Sequence, residues 1–370
     1  MSETFSLSEY MNVSIEKLVK NAIKASLKNP RESAFLLSYS IKAKAAAAKR
    51  KHHENGKINI PPFLIASIST TCNLFCKGCY ARANKSCTDK ISDNQLSTKR
   101  WNEIFEEAAQ LGVSFILLAG GEPFMRKDVI ETAAGYKSII FPVFTNGTMF
   151  DQGYFELFNN NRNLLPILSI EGDQTQTDTR RGKGTYDKLI DNMECLNSKG
   201  IFYGASVTVT TQNLDMVTNV DFVDDLYNKG CKLIFYVEYV PVTNATADLA
   251  PEQKDRDLLD KKLNILRNKL NDMIFLAFPG DEKGTEGCLA AGRGFFHINA
   301  NGGAEPCPFS PFSDINLGGS SLLQALKSPL FMKIRQDGRL LGEHKGGCLL
   351  FENEAYIASL AEQLNTAPNP

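Results

Sequence analysis

Apolar and polar positions follow two different rhythms along this chain. Val13, Ile15, Leu18, Val19, Ala22, Ile23 and Leu27 recur at roughly helical spacing, with lysines 17, 20, 24 and 28 on other faces. A second helical stretch is expected to start near Pro30 and run through Leu36, Leu37, Ile41 and Ala45 to Ala48, ending in the basic run 49–53. From residue 62 the rhythm becomes strand then helix. Apolar runs at 63–69, 113–119, 138–144, 164–170, 202–209 and 232–240 read as strands bounded by turns. Helical patterns separate them: Trp101 to Leu111, Val129 to Ala134, Phe155 and Leu157, Tyr186 to Leu196, and Met216 to Leu226. Such alternation argues a parallel sheet with helices outside it. Six units are too few for a closed eight-fold barrel of roughly 250 residues, so an incomplete, open barrel is expected, with ligand groups at the C-terminal ends of its strands.

Residues 251–271 read as a charged helix carrying Leu258, Leu259, Leu263, Leu266 and Leu270, and near residue 275 the pattern breaks into a Gly- and Pro-rich region. The expected organisation is a helical segment over 1–60, a barrel over 61–250 and a smaller C-terminal domain over 251–370.

Composition narrows the function classes. The chain is 43% hydrophobic and 22% charged, as in ordinary globular proteins. A net charge of −1 gives no general case for nucleic acid or an anionic membrane. Locally, residues 1–60 hold eleven Lys/Arg against five Asp/Glu. That excess suits a helical cap with a solvated basic face, an acidic partner or a lipid surface being the alternative. No apolar stretch nears the roughly 18 residues of a spanning helix, and no apolar signal core opens the chain, so a cytoplasmic location is expected. Nine cysteines in a reducing compartment are better explained by metal ligation than by disulfides.

Three of those cysteines, Cys72, Cys76 and Cys79, fall on the loop leaving the first strand. Thiolates this close point to a shared metal or cluster, and three do not complete the shell of a structural zinc or of all four irons of a [4Fe–4S] cluster. Room is left for a ligand. Further strand ends carry Gly120-Gly121-Glu122-Pro123, Thr145-Asn146-Gly147 and Ser169-Ile170-Glu171-Gly172, the last followed by Asp178-Thr-Arg-Arg181-Gly182. In the distal region Cys288 and Cys307 bracket an apolar run and a Gly-rich turn, a hairpin-like arrangement that brings two sulfurs together, and Cys348 follows after a helical stretch from Leu322 to Ile334. A zinc site or three unrelated thiols is the alternative there. Cys87, Cys195 and Cys231 lie outside both groups, and His297 reads as a packing residue. Glu238 and Tyr239 close the last barrel strand, where substrate is expected.

The C-x3-C-x2-C spacing with a following aromatic residue, and the G-G-E-P, T-N-G and S-I-E-G…D-x-x-R-G segments after it, resemble the signature of the radical S-adenosylmethionine (radical SAM) enzymes. The resemblance covers about residues 60–245 and implies a partial (β/α)6 TIM-like barrel. It further implies that Cys72, Cys76 and Cys79 hold a [4Fe–4S] cluster whose fourth iron is chelated by SAM. Gly120, Gly121, Glu122 and Pro123 would contact the amino end of SAM, with Thr145 and Asn146 at the next turn. Ser169 and Arg181 would meet its ribose and carboxylate, beside Glu171, and Tyr80 would pack on the adenine. Cys288, Gly302 and Cys307 resemble the opening of the SPASM and twitch extensions, which hold auxiliary Fe–S clusters, with Cys348 as a third ligand. No further C-x2-C pairs follow, and Phe351 stands where a fourth ligand is expected. One auxiliary [4Fe–4S] cluster with an open or non-cysteine fourth site therefore fits better than two. The implied activity is reductive cleavage of SAM to methionine and a 5′-deoxyadenosyl radical, which takes hydrogen from an unactivated carbon of a peptide or small metabolite. The auxiliary cluster would accept an electron or anchor substrate, and a low-potential donor such as flavodoxin or ferredoxin would supply the reducing electron. The competing reading is a non-enzymatic Fe–S or zinc scaffold. It needs the distal cysteines but not the strand-end motifs.

Overall fold

Strands that are apolar on both faces must be covered on both sides, which parallel strands with crossover helices achieve. The computed structural model, which describes residues 6–56, 58–282, 285–338 and 347–366, resolves them in that way. Strands β1 (Phe63–Ser69), β2 (Phe115–Gly120), β3 (Phe141–Thr145), β4 (Leu164–Ser169), β5 (Gly204–Val209) and β6 (Leu233–Glu238) lie side by side in chain order, all parallel. These are the six expected strands, and the partial barrel of α/β type is the observed fold.

The sheet extends further than the hydrophobic pattern indicates. Strand β7 (Ile274–Phe278) pairs in parallel with β6 at one edge. At the other, β8 (His297–Ile298) pairs in parallel with β1 and turns back antiparallel into β9 (Ala304–Glu305). The sheet thus runs across residue 251 without a break. The expected hairpin between Cys288 and Cys307 is β8–β9, and Gly302 takes the left-handed φ of +91° in its turn. Among the helices, the stretch 216–226 is split into Leu214–Val217 and Val220–Asn228, and 322–334 into Leu322–Leu326 and Pro329–Gln336. In the second case Pro329 has no N–H to continue a helix, and Ser328 caps a new one by accepting from the Phe331 N–H at 3.2 Å.

The two N-terminal helices, α1 (Leu7–Ala25) and α2 (Pro30–Asn55), account for the rest of the core. One face of the sheet packs Leu64, Ala66, Ile68 and Leu118 with Trp101, Ile104, Phe105 and Ala108 of the helix Thr98–Leu111. The other face presents Phe63, Phe115, Leu117 and Leu165 to Ile15, Val19, Leu36, Tyr39 and Ala43 of α1 and α2. Leu18 and Ala22 continue that layer over Ile167, Leu233 and Ile274. These contacts gather at the starts of the strands, where Phe63 and Phe115 face each other in register with rings stacked 5.0 Å apart. There Tyr39 donates its O–H to the Ser114 carbonyl at 2.7 Å, and Arg50 donates to the Gly112 carbonyl and the Ser114 hydroxyl. The helical segment is therefore a plug at the strands' N-terminal ends, and the C-terminal rim stays free for chemistry. Among the described residues no helix is long and apolar enough to cross a membrane.

If the plug is integral to the core, Tyr39→Ala should destabilise the protein by about 3–5 kcal/mol and Tyr39→Phe by about 1 kcal/mol. Urea unfolding followed by circular dichroism should show one transition for each variant. A separate early transition would mean that α1 and α2 fold independently of the sheet.

Candidate active site

Where β1 ends, its backbone crosses the end of β2 so closely that no side chain fits between them. A Cβ on Gly121 would lie 2.0 Å from the Thr71 carbonyl oxygen, and one on Gly120 would lie 2.6 Å from that of Ser69. Gly120 also takes a φ of +129°. Removing both side chains lets Gly121 N–H donate to Ser69 O at 2.9 Å and Glu122 N–H to Thr71 O at 2.8 Å. Cys72 follows at once. The glycine pair is explained first by this backbone contact, which fixes the start of the cysteine loop.

Glu122 is buried, and its carboxylate faces inward. It accepts from the Phe124 N–H at 3.1 Å, the Thr145 hydroxyl at 2.7 Å and the Asn146 N–H at 2.8 Å. Burial raises its pKa and these donors oppose the rise. Glu122 thus joins the end of β2 to the end of β3 through three donors. Pro123 begins the short 3-10 turn after it and is buried. Asn146 reaches the cysteines instead: its Nδ2 lies 3.8 Å from Cys72 Sγ and donates to Asn73 Oδ1 at 2.9 Å.

The rest of the triad is held by the turn after β4. Lys77 N–H donates to the Arg180 carbonyl at 2.9 Å. Arg181 donates through Nε to Glu171 Oε1 at 2.9 Å and places Nη1 4.0 Å from Cys76 Sγ. Arg180 also meets Glu171 Oε1, at 3.1 Å, but its guanidinium lies over the Tyr239 ring. Of the two arginines, Arg181 is the one that reaches a cysteine. Glu171 Oε2 accepts from Thr208 N–H at 3.1 Å, so the buried carboxylate is fully engaged. Asp178 accepts from the N–H groups of Gly184 and Tyr186, which hold its carboxyl below the ordinary range. Ser169 ends β4 half-buried, in register with Ser206. A cavity of ≈640 Å³, open side included, is lined by Asn73, Phe75, Lys77, Thr179, Arg180 and Arg181.

Two aromatic residues pack against the cysteine loop. Tyr80 sits edge-on to Phe309 with centroids 5.1 Å apart, and burial beside Cys79 and Cys307 pushes its phenol pKa upward. It packs between the two cysteine groups at the start of a short helix. Tyr239 lies against Gly78, where a Cβ would fall 2.4 Å from the phenol oxygen, and it donates to Thr246 Oγ1 at 2.6 Å. Tyr239 thus braces the loop between Cys76 and Cys79.

The distal cysteines converge as well. Cys288, Cys307 and Cys348 line one small cavity with Glu238, Glu282 and Phe309. Cys307 and Cys348 are hydrogen-bonded to each other, which lowers the Cys348 pKa, while burial raises Cys288 and Cys307. Glu238, which lines this second cavity, pairs with Arg256 at 2.9 Å. Glu282, which carries no sequence signal, is buried there, and desolvation pushes its carboxyl up to about 8. The hairpin that delivers Cys307 is stapled to β1: His297 bridges Ser67 Oγ at 2.8 Å and Glu305 Oε2 at 2.7 Å, a packing role as expected.

Both donor sets suit Fe–S clusters. In the first triad burial pushes the Cys72 thiol up to about 12 and raises Cys76, against which Arg181 acts. A bound cation would reverse that balance and deprotonate the thiols. Among the described residues no three His, Cys, Asp or Glu side chains are arranged to hold a single metal ion. A cluster makes no such demand, because each thiolate takes its own iron.

Residues 66–224 match the family model described as the Radical SAM superfamily. The chain is 30% identical over 182 residues to the Fe-coproporphyrin III synthase of Methanosarcina barkeri, an alignment covering 47% of this chain and 43% of that protein. It is 23% identical over 335 residues to the AdoMet-dependent heme synthase of the same organism, covering 81% and 94%. With the sporulation killing factor maturation protein SkfB of Bacillus subtilis it shares 26% identity over 274 residues, covering 72% and 64%. Among solved structures, Streptococcus suis SuiB bound to precursor peptide SuiA superposes with a TM-score of 0.65 at 20% identity, over 85% of this chain and 76% of that one, a likeness of fold.

The Gly78–Tyr239 contact is open to test. Gly78→Ala should destabilise the protein by about 1–3 kcal/mol through overpacking, plus about 1 kcal/mol for a Cβ at φ +68°. In a Tyr239→Ala background the overpacking part should vanish, giving a measurable coupling in thermal unfolding. Additive costs would show that the two residues do not touch.

Proposed function

For this enzyme, which carries a radical SAM domain over residues 66–224, we propose hydrogen abstraction from an unactivated carbon of a peptide or small metabolite, with SAM as the radical source. The observation that carries the reading is the convergence of two strand-end segments, after β3 and after β4, on the Cys72–Cys79 loop. Asn146 reaches Cys72, the Arg180 carbonyl holds Lys77, and Arg181 reaches Cys76. A scaffold that only stored or passed electrons would have no use for a buried Glu171–Arg181 pair opening onto a cavity beside the thiols.

Cys72, Cys76 and Cys79 would hold a [4Fe–4S] cluster by three irons. When bound, the reduced cluster supplies one electron to SAM, whose cleavage gives methionine and a 5′-deoxyadenosyl radical that takes a hydrogen atom from substrate. The chain's own work is orientation. Arg181, its Nε and one Nη fixed on Glu171, keeps Nη1 for a carboxylate at the cavity, and the free edge of a guanidinium suits that anion. Ser169, at the end of β4, offers a small hydroxyl to a ribose edge. Tyr239 and Glu122 keep the loop and the neighbouring strand ends in place, so ligands meet a preorganised rim. The proposed second cluster at Cys288, Cys307 and Cys348 would accept an electron or anchor substrate, with Tyr80 and Phe309 filling the space between the two centres. A flavodoxin- or ferredoxin-type protein would deliver the reducing electron.

Cys76→Ala should abolish 5′-deoxyadenosine formation under anaerobic conditions with SAM and dithionite, leaving the circular dichroism spectrum unchanged. Arg181→Ala should weaken SAM binding by about 2–3 kcal/mol, the scale of a charge-assisted hydrogen bond. Undiminished 5′-deoxyadenosine from Cys76→Ala would reject the assignment. Unaltered SAM affinity in Arg181→Ala would make the arginine an ion-pair partner only.

A further inference from the structure

We propose that Glu282 is the fourth ligand of the distal cluster, binding the iron that Cys288, Cys307 and Cys348 leave without a thiolate. The inference rests on the auxiliary-cluster reading above and deepens it.

Glu282 closes the short 3-10 turn Gly280–Glu282 that follows β7, and only 5% of it is exposed. Its side chain lines the same cavity as the three cysteines. One oxygen, Oε2, accepts a long bond of 3.4 Å from the N–H of Leu289, the residue after Cys288. The other, Oε1, is buried and has no hydrogen-bond partner among the described residues. A buried carboxylate oxygen left without a donor costs about 1–3 kcal/mol or more, so a folded protein retains one where something else satisfies it.

The neighbouring charges sharpen the assignment. Arg293 is near, but it donates to the carbonyls of Cys288 at 2.7 Å and Thr285 at 2.9 Å, and so is spent on the backbone. Glu238 lines the same cavity, yet its Oε2 is paired with Arg256. Of the two acids facing the thiols, Glu282 is the one with no ion pair and with an oxygen, Oε1, that has no donor among the described residues. An iron atom at the cysteines would satisfy that oxygen. Carboxylate oxygen is a harder donor than thiolate, and ligand type together with burial sets a cluster's potential.

The test uses the full chain with Cys72, Cys76 and Cys79 replaced by Ala, so that any cluster reports on the distal site. After anaerobic reconstitution with iron and sulfide this parent should bind about four irons and keep them on mild oxidation, whereas the same chain with Glu282→Gln should lose the fourth, which no protein ligand then holds. On mild oxidation the Gln variant should give the electron paramagnetic resonance signal of a three-iron cluster. Glu282→Cys should restore the fourth iron and shift the reduction potential, and Glu238→Gln should leave the iron content unchanged. Binding of no iron by the parent would reject the auxiliary cluster itself. A parent with four irons and a Glu282→Gln variant with the same content and spectrum would leave the cluster standing and overturn Glu282 as its ligand.

Discussion

The rim of this sheet is organised by a place where two backbones touch. Between the end of β1 and the end of β2 there is no room for a Cβ, so Gly120 and Gly121 let main-chain groups hydrogen-bond directly. Everything downstream inherits that register. Cys72 leaves the contact in one direction and Glu122 in the other, and the Glu122 carboxylate then gathers the end of β3 by accepting from Thr145 and Asn146. A side chain at Gly121 would displace Thr71, and with it the first cysteine of the triad. The glycines are thus needed by the protein before any ligand arrives.

Buried charge supplies the second layer of order. An unpaired carboxylate in the interior is expensive, whereas one that meets a guanidinium and a backbone donor is held in a single geometry. Glu171 meets Arg180, Arg181 and the Thr208 N–H, and this locks the turn after β4 against the cysteine loop. Ser67, His297 and Glu305 act similarly at the other edge, tying the β8–β9 hairpin to β1 and placing Cys307 two residues beyond Glu305. Tyr80 and Phe309 then fill the gap between the first cysteine loop and the second. Since α1 and α2 close the opposite end of the sheet, chemistry is confined to one rim and water can be excluded from below.

Much of this was legible in the chain itself. Strand–helix alternation from residue 62 marks the six central strands, because period-2 and period-3.6 apolar patterns are imposed locally by backbone geometry. The positions of Cys72, Cys76 and Cys79, of the glycine pair and of the Arg180-Arg181 turn follow from strand ends that the alternation locates, and Gly302 marks the distal hairpin by its turn. Strand β7 was not legible: Ile274–Phe278 is a short apolar run whose pairing partner, β6, lies some forty residues earlier. The same holds for β8, a two-residue strand whose register is set by β1.

Side-chain direction at the rim was decided only in three dimensions. Residue type says that Glu122, Tyr80, Glu238 and Tyr239 have polar or aromatic groups to place, but not which neighbour will accept them. The fold sends Glu122 inward to β3, Tyr80 to Phe309, Glu238 to Arg256 and Tyr239 to Gly78. Glu282 has no motif at all, and only the fold brings it into one cavity with three distant cysteines, its Oε1 without a partner among the described residues. Local pattern and spacing are properties of neighbours in sequence, so they specify elements and the loops between them. Burial and hydrogen-bond partnership are properties of neighbours in space, and packing alone assigns them.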